Sequence, residues 1–433
     1  MNKQILRLSI PFIISNISVP LVGTVDTALM GHLGSTTHLG AIGLGGALFN
    51  FLYWNFAFIR MSTGGFTAQA YGANNENEKE LLLGRALIMA LSGAVLLLLL
   101  QTPILNLALR LMKGEADVEL HTITYYKIRI WAAPATLSMY AITGWFIGMQ
   151  NAKAPMLTSI LVNVFNLCLN FLFILGFKMK SDGVALGTVI AQYLGLFFSI
   201  GVIYFKYRKY LKVFTNKALW HLSSYKHFFK VNSDIFVRTF FVILVLTFYN
   251  FASSGKGNDV LGMNVIFLQL IYAFSFFTDG FANAAEALAG KYIGAQNKLK
   301  LKRLIRLLFI WGVAIATIFT LVYAFFWPYI LKIYTSDTVI IQLSQDYIYW
   351  IVAIPLISIT AFIWDGIYLG ATSSQHLRNA TLLGAVVFFS VYYGLQNNWG
   401  NHALLFAQFT FFGVRGIYQT ITYKKAIFDR LNF

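Results

Sequence analysis

The apolar runs of this chain are too long and too many for the core of a water-soluble domain. A helix needs ~20 mostly apolar residues to cross the hydrocarbon of a bilayer, and such runs follow one another along all 433 residues. Only 11% of the residues are charged, where soluble domains have roughly a quarter. Hydropathy and breaker residues predict an all-α membrane protein with twelve spans, at 6–31, 39–70, 81–109, 120–147, 155–177, 183–206, 226–252, 261–289, 301–331, 338–370, 377–396 and 399–423. Many are long enough to be tilted or bent. Pro11, Pro20, Pro134 and Pro355 lie inside spans and can bend them where neighbours or water satisfy the freed carbonyls. The opening "MNKQILRLSI" runs straight into the first span without a small-residue cleavage site, so no removed leader is expected.

The net charge of +17 is distributed as loop charge, not as a nucleic-acid footprint, and no DNA- or RNA-binding motif is present. With the N-terminus inside, 22 Lys and Arg fall on inner segments and 8 on outer ones, the latter including Lys127 and Arg129. That bias predicts cytoplasmic termini. A lone cysteine, Cys168, excludes an internal disulfide. The seven histidines lack paired-ligand spacing, and no glycine-rich stretch ends in the Lys-Ser/Thr of a phosphate loop. Neither an enzyme nor a resident cofactor or metal is expected. The energy source would be an ion gradient, of protons or possibly sodium.

The halves repeat. "LGAIGLGGALFNF" at 39 aligns with "LGMNVIFLQLIYA" at 261, and "AYGANNENEKELLLGRAL" at 70 continues at the same offset of 222 to "YIGAQNKLKLKRLIRL". Six spans repeating as six give two pseudo-symmetric lobes in one orientation, 1–206 and 226–433, joined by a basic linker, 207–225, read as a solvated loop touching the membrane surface. A site is expected at or near the interface between the halves.

The repeat sorts the polar groups within spans. Asp26 corresponds to Phe248, Glu286 to Gly64 and Arg60 to Ala282, so the scaffold does not require them. An Asp near the middle of a span costs ~2.5–3.5 kcal/mol on insertion scales. A dry surrounding favours its neutral form and a wet one its carboxylate, so Asp26 could take up and release a proton as water leaves and enters. Asn163, Asn166 and Asn170 share one helical face, and with Ser15 and Thr188 could line a polar pocket around it. In the second half Asp279, Asn283 and Glu286 share a face. Asp234 and Arg238 are spaced to pair within one helix, and Asp365 has no partner by sequence.

The whole chain resembles the multidrug and toxic compound extrusion family, most closely its DinF-like branch. The resemblance rests on "IPFIISNISVPLVGTVDTALMGHLG" (10–34), "FIRMSTGGFTAQAYG" (58–72), "IRIWAAPATL" (128–137), "NVFNLCLNFLFILG" (163–176), "GVALGTVIAQ" (183–192), "AAEALAGKYIGA" (284–295) and "DGIYLGAT" (365–372). It implies two six-helix bundles arranged as a V in a bacterial inner membrane. It also implies export of amphipathic or cationic small molecules by alternating access, by a monomer among membrane lipid. Pro11 and Asp26 match a proline and an acid that govern bending of the first helix, and Asn166, Asn170 and Thr188 match the polar cluster beside that acid. Some members carry a second acid where this chain has Asn170, which weakens a two-carboxylate sodium site. Other branches use acids of the second lobe, for which Glu286 and Asp365 are the candidates here. The superfamily also holds flippases for lipid-linked saccharides, and Arg60, Arg238 and Arg415 keep that alternative open. A channel would need a continuous polar lining that the sequence lacks.

Overall fold

The computed structural model describes residues 1–31, 36–112, 115–221, 225–429 and 431, with side chains for all of these except 19–31, 36 and 112. The helices are α1 (Asn2–Gly31), α2 (Thr36–Asn55), α3 (Phe58–Gly72), α4 (Glu76–Leu99), α5 (Gln101–Met112), α6 (Ala116–Arg129), α7 (Ala133–Gly148), α8 (Lys153–Phe171) and α9 (Ser181–Lys206), then α10 (Tyr225–Ser254), α11 (Asn258–Gly294), α12 (Lys298–Tyr334), α13 (Thr338–Gln345), α14 (Ile348–Gly370), α15 (Ser374–Trp399) and α16 (Asn401–Tyr423).

Every predicted span falls on helix, which is the only open-ended backbone solution in lipid because each N–H and C=O finds its partner within the segment. Among the described residues nine segments are long and apolar enough to cross a bilayer: Thr37–Gly72, Glu76–Leu99, Ala116–Gly148, Lys153–Gly176, Ser181–Lys206, Tyr225–Ser254, Asn258–Gly294, Lys298–Tyr334 and Ile348–Gly370. Helices α1, α15 and α16, of 30, 26 and 23 residues, have the length for the remaining three spans. The protein is an all-α, multi-pass membrane protein. Hydropathy did not reveal the interruptions inside spans. Turns at Phe56 and Ala57 part α2 from α3, Leu100 parts α4 from α5, and a 3-10 turn, Ile130–Ala132, joins α6 to α7.

The chain divides into two compact units, Ile14–Phe228 and Met1–Ile13 with Phe229–Phe433. Helix α1 therefore gives its first turns to the second unit and the rest to the first. The repeat persists in backbone detail. Helices α2 and α11, α4 and α12, and α6 and α13 each begin 222 positions apart. So do the left-handed residues that end helices: Asn74 and Gln296, Gln150 and Thr372, Lys178 and Gly400. Asn75 caps α4 by accepting from the amide of Glu78 at 3.0 Å, and its counterpart Asn297 caps α12 by accepting from Lys300 at 2.9 Å.

Small residues set the packing, because helices in lipid associate through close contact more than through hydrophobic drive. In the first unit Ala86, Ala90 and Ala94 form a buried i, i+4 stripe of α4, packed with Leu137 and Ala141 of α7. A carbon added to Gly144 of α7 would lie 2.3 Å from the Arg60 carbonyl oxygen of α3. In the second unit the counterpart carbon on Gly366 of α14 would lie 2.2 Å from the Ala282 carbonyl oxygen of α11.

The linker is more than the solvated loop expected. Its 3-10 turns, Arg208–Thr215 and Lys217–Trp220, dock on α4. Val213 and Leu219 are buried with Leu81, over Gly84, where an added carbon would meet them at 2.5 and 2.8 Å. Tyr210 donates to Glu76 at 2.6 Å, and Lys209 pairs with the same carboxylate at 2.8 Å. Burial and the adjoining carboxylate hold the Tyr210 phenol well above its ordinary range, so it stays a neutral donor.

Gly144→Ala and Gly366→Ala are each expected to lower the thermal unfolding midpoint, through an overpacking cost of about 1–3 kcal/mol. Gly43→Ala, whose added carbon meets nothing within 4 Å, is expected to leave the midpoint unchanged or raise it. Equal midpoints for the three variants would refute the close-contact argument.

Candidate functional site

Two polar clusters occupy the helical interior, one in each unit. In the first unit α1, α8 and α9 bring together the amides singled out by spacing. Asn163 donates from Nδ2 to Ser18 Oγ at 2.8 Å, and Ser18 donates to the Ser15 carbonyl at 2.7 Å. A second chain runs from Asn170 Nδ2 to Asn166 Oδ1 at 3.3 Å, from Asn166 Nδ2 to Thr188 Oγ1 at 3.1 Å, and from Thr188 Oγ1 to the Val184 carbonyl at 2.9 Å. Asn170 is fully buried, and Gly187 of α9 admits it: an added carbon there would lie 2.3 Å from Asn170 Oδ1. The chain has a direction. Thr188 spends its proton on a backbone carbonyl, so it accepts from Asn166, whose own carbonyl accepts from Asn170.

Asp26 lies on α1, and its side chain falls outside the described residues. Pro11 is buried in the same helix, where it removes the backbone hydrogen bond to residue 7. Just beyond it Ile13 crosses α11 at Gly280, where an added carbon would meet Ile13 Cγ1 at 2.4 Å and the Ser9 carbonyl oxygen at 3.0 Å. Arg60 lies on α3, and its charge reaches Tyr140 of α7.

The second cluster is ionic. Asp365 of α14 accepts from Arg238 of α10, from Arg415 Nη2 of α16 at 2.6 Å and from Gln419 Nε2 at 2.6 Å. Asp234 of α10 accepts from Arg378 Nη1 at 2.6 Å and Ser374 Oγ at 2.8 Å, both on α15. This corrects two sequence expectations. Asp365 is paired, with two guanidinium groups. Asp234 and Arg238 do not pair with each other along α10; each is held by a different helix, because burial rewards a cross-helix partner that also fixes the packing. Glu286 of α11 is 1% exposed, Asp279 and Asn283 beside it are half-buried, and the Asp279 charge acts on Arg415.

Spacing alone did not single out Arg378 or Gln419. The repeat could have done so, since Gln419 corresponds to Phe197 and Arg378 to Met156. Arg238 and Arg415, two of the three cations that favoured a saccharide-lipid flippase, are already engaged by Asp365 and share its single negative charge. Among the described residues no group of three or more His, Cys, Asp or Glu could hold a metal ion.

Comparison with known proteins agrees with this architecture. The MatE family model matches residues 11–172 and 235–393. The DNA damage-inducible protein F of Escherichia coli K12 is 34% identical over 428 residues, 96% of this chain and 90% of that protein. A probable multidrug resistance protein NorM of Thermotoga maritima is 25% identical over 358 residues, 79% of this chain and 74% of that one. Among solved structures, a MATE crystal structure in the bent conformation superposes with a TM-score of 0.87 at 17% identity, covering 98% of this chain and 96% of that chain. The Vibrio cholerae MATE transporter VcmN, bent form, gives 0.86 at 18%, with 99% and 97% covered. The chain belongs to the MatE family and is a multi-pass membrane transporter, not an enzyme.

Proposed function

We propose that this transporter is a monomeric, proton-coupled exporter of amphipathic small molecules, cationic ones among them, working by alternating access in a bacterial inner membrane with both termini in the cytoplasm. Asp26 is its protonation site and Pro11 the point at which α1 bends. The observation that carries the reading is the directed chain from Asn170 through Asn166 to Thr188. Amides can donate to a carboxylate and accept from a carboxylic acid, so they suit a neighbour that changes protonation state.

The repeat supports the partnership from described residues. The counterpart of position 26 is Phe248, whose ring lies 6.0 Å from Phe388 and 5.2 Å from Tyr392. Those two residues are the counterparts of Asn166 and Asn170. One location is thus filled by aromatic rings in one unit, and in the other by the amides that an acid at position 26 would need. Sodium coupling through the second-unit acids draws less support, because Asp365 already has two arginines and offers a cation little net charge.

Four outcomes are expected. In proteoliposomes with an imposed pH gradient, Asp26→Asn should abolish gradient-driven efflux; export equal to wild type with unchanged pH dependence would end the proposal. Asn170→Leu should cut transport about tenfold or more at matched protein level, while Thr188→Val, which removes one acceptor at the far end of the chain, should cost less. Asp365→Asn should chiefly destabilise, by about 3–5 kcal/mol, since it leaves two buried guanidinium groups under-compensated. The thermal midpoint checks this, and a sodium gradient applied alone should drive no efflux by the wild-type protein.

A further inference from the structure

Arg129 is a cation inside a span that the described residues leave without a carboxylate. The charge count assigns it to the outer segments, but the helix carries it further in. It closes α6, thirteen residues into the 33-residue segment Ala116–Gly148, and is half-buried. Its guanidinium lies 4.9 Å from the Phe49 ring centroid and 5.4 Å from that of Tyr125, and Nη1 donates to the Tyr125 hydroxyl. Among the described residues no Asp or Glu forms an ion pair with it. Its Nε has no hydrogen-bond partner.

Three buried hydroxyls lie nearby. Tyr53 of α2, Tyr126 of α6 and Thr136 of α7 are 9%, 0% and 7% exposed; the Tyr126 hydroxyl has no hydrogen-bond partner, while Tyr53 and Thr136 face each other closely enough for a weak hydrogen bond. They form one neighbourhood, in which Arg129, Tyr126 and Tyr140 also act electrostatically on Tyr53. The Phe49 ring, 5.2 Å from Tyr126 and 5.5 Å from Tyr53, is their common wall. Tyr126 also lines a groove of about 260 Å³ between α5 and α6 that carries Gln101, Asn106 and Lys127. The scaffold does not require Tyr126 or Arg129, whose counterparts in the second unit are Ile348 and Ile351, although it keeps a hydroxyl opposite Tyr53 and Thr136, at Ser275 and Ser358.

Unspent donors around an uncompensated cation are costly in a low-dielectric interior. We propose that Arg129, with the hydroxyls of Tyr53, Tyr126 and Thr136, forms a subsite for the anionic head, carboxylate or sulfonate, of an amphipathic ligand whose apolar body lies against the surrounding aromatic rings. The guanidinium supplies charge and its Nε–H, the hydroxyls rotate to donate, and a planar anion suits both. Lys127 in the adjoining groove provides a first cation on the way in. As a substrate subsite this rests on the exporter reading; as an anion site it does not.

The test uses two probes that differ only in charge, dansylglycine and dansylglycinamide, with the full-length protein in phosphatidylcholine nanodiscs and binding read by fluorescence anisotropy. Wild type should prefer the carboxylate by about tenfold. Arg129→Gln should abolish the preference while leaving the amide's affinity in place, and Tyr53→Phe and Thr136→Val should each reduce it severalfold. Equal binding of both probes by wild type, or an undiminished preference in Arg129→Gln, overturns the proposal. If Arg129→Gln does not fold, an undiminished preference in Tyr53→Phe and Thr136→Val together overturns it. An Arg129→Gln protein with a lower thermal midpoint and wild-type discrimination would assign the guanidinium to packing alone, which also overturns it. Efflux of dansylglycine from vesicles separates the two readings. Arg129-dependent binding without export leaves the anion site standing and removes its role as a substrate subsite.

Discussion

A charge inside a bilayer must find a counter-charge, a hydrogen-bonding shell or a proton, because lipid offers none of these. The unit built from residues 1–13 and 229–433 meets that demand with counter-charges: Asp365 between Arg238 and Arg415, and Asp234 against Arg378. Such pairs hold only while the acid is ionised. The unit built from residues 14–228 uses neutral donors and acceptors instead, Asn163, Asn166, Asn170 and Thr188. Neutral partners can serve an acid in either protonation state, and the proposed proton exchange at Asp26 draws on this difference in neighbours between the two units.

The repeat and its exceptions were legible before any coordinates, because both are local properties of sequence. An offset of 222 aligns helix starts, asparagine caps and left-handed helix ends from one half to the other. Asn163, Asn166 and Asn170 could be placed on one face because a helix has a fixed period. Pairing across helices could not be read this way. Asp234 and Arg238 sit four residues apart and look like partners, yet each joins a helix more than a hundred residues away. A sequence period reports which residues share a face, and it carries no information on what that face meets. The same gap hid the docking of the linker, where among the described residues the buried side chains are Tyr210, Val213, Leu219 and Tyr225, too few to show a pattern.

That docking alters how the linker acts. Glu76 accepts from Tyr210 and pairs with Lys209 and Lys79, and the Trp145 indole donates to the Lys79 carbonyl at 2.8 Å. The start of α4, the last turn of α7 and the linker are thereby tied to one another. The chain leaving α9 is an integral part of the first unit, not a free tether, and Tyr225 at the head of α10 is tied to it as well, donating to the Leu219 carbonyl at 2.9 Å.

Pseudo-symmetry offers two copies of each location, and the contrast between copies separates scaffold from function. Where both copies keep a feature, as in the close approaches at Gly144 and Gly366, it answers a demand of helix packing. Where one copy is polar and the other is core, packing has been met without the polar group, and its retention needs another reason. Asn166 and Asn170 against Phe388 and Tyr392, and Arg129 against Ile351, are of this second kind. The second unit has polar-for-core exchanges of its own, Arg378 against Met156 and Gln419 against Phe197, but there the polar groups are spent on buried carboxylates, whereas the amides and Arg129 of the first unit are the groups on which the proposed proton and anion sites draw.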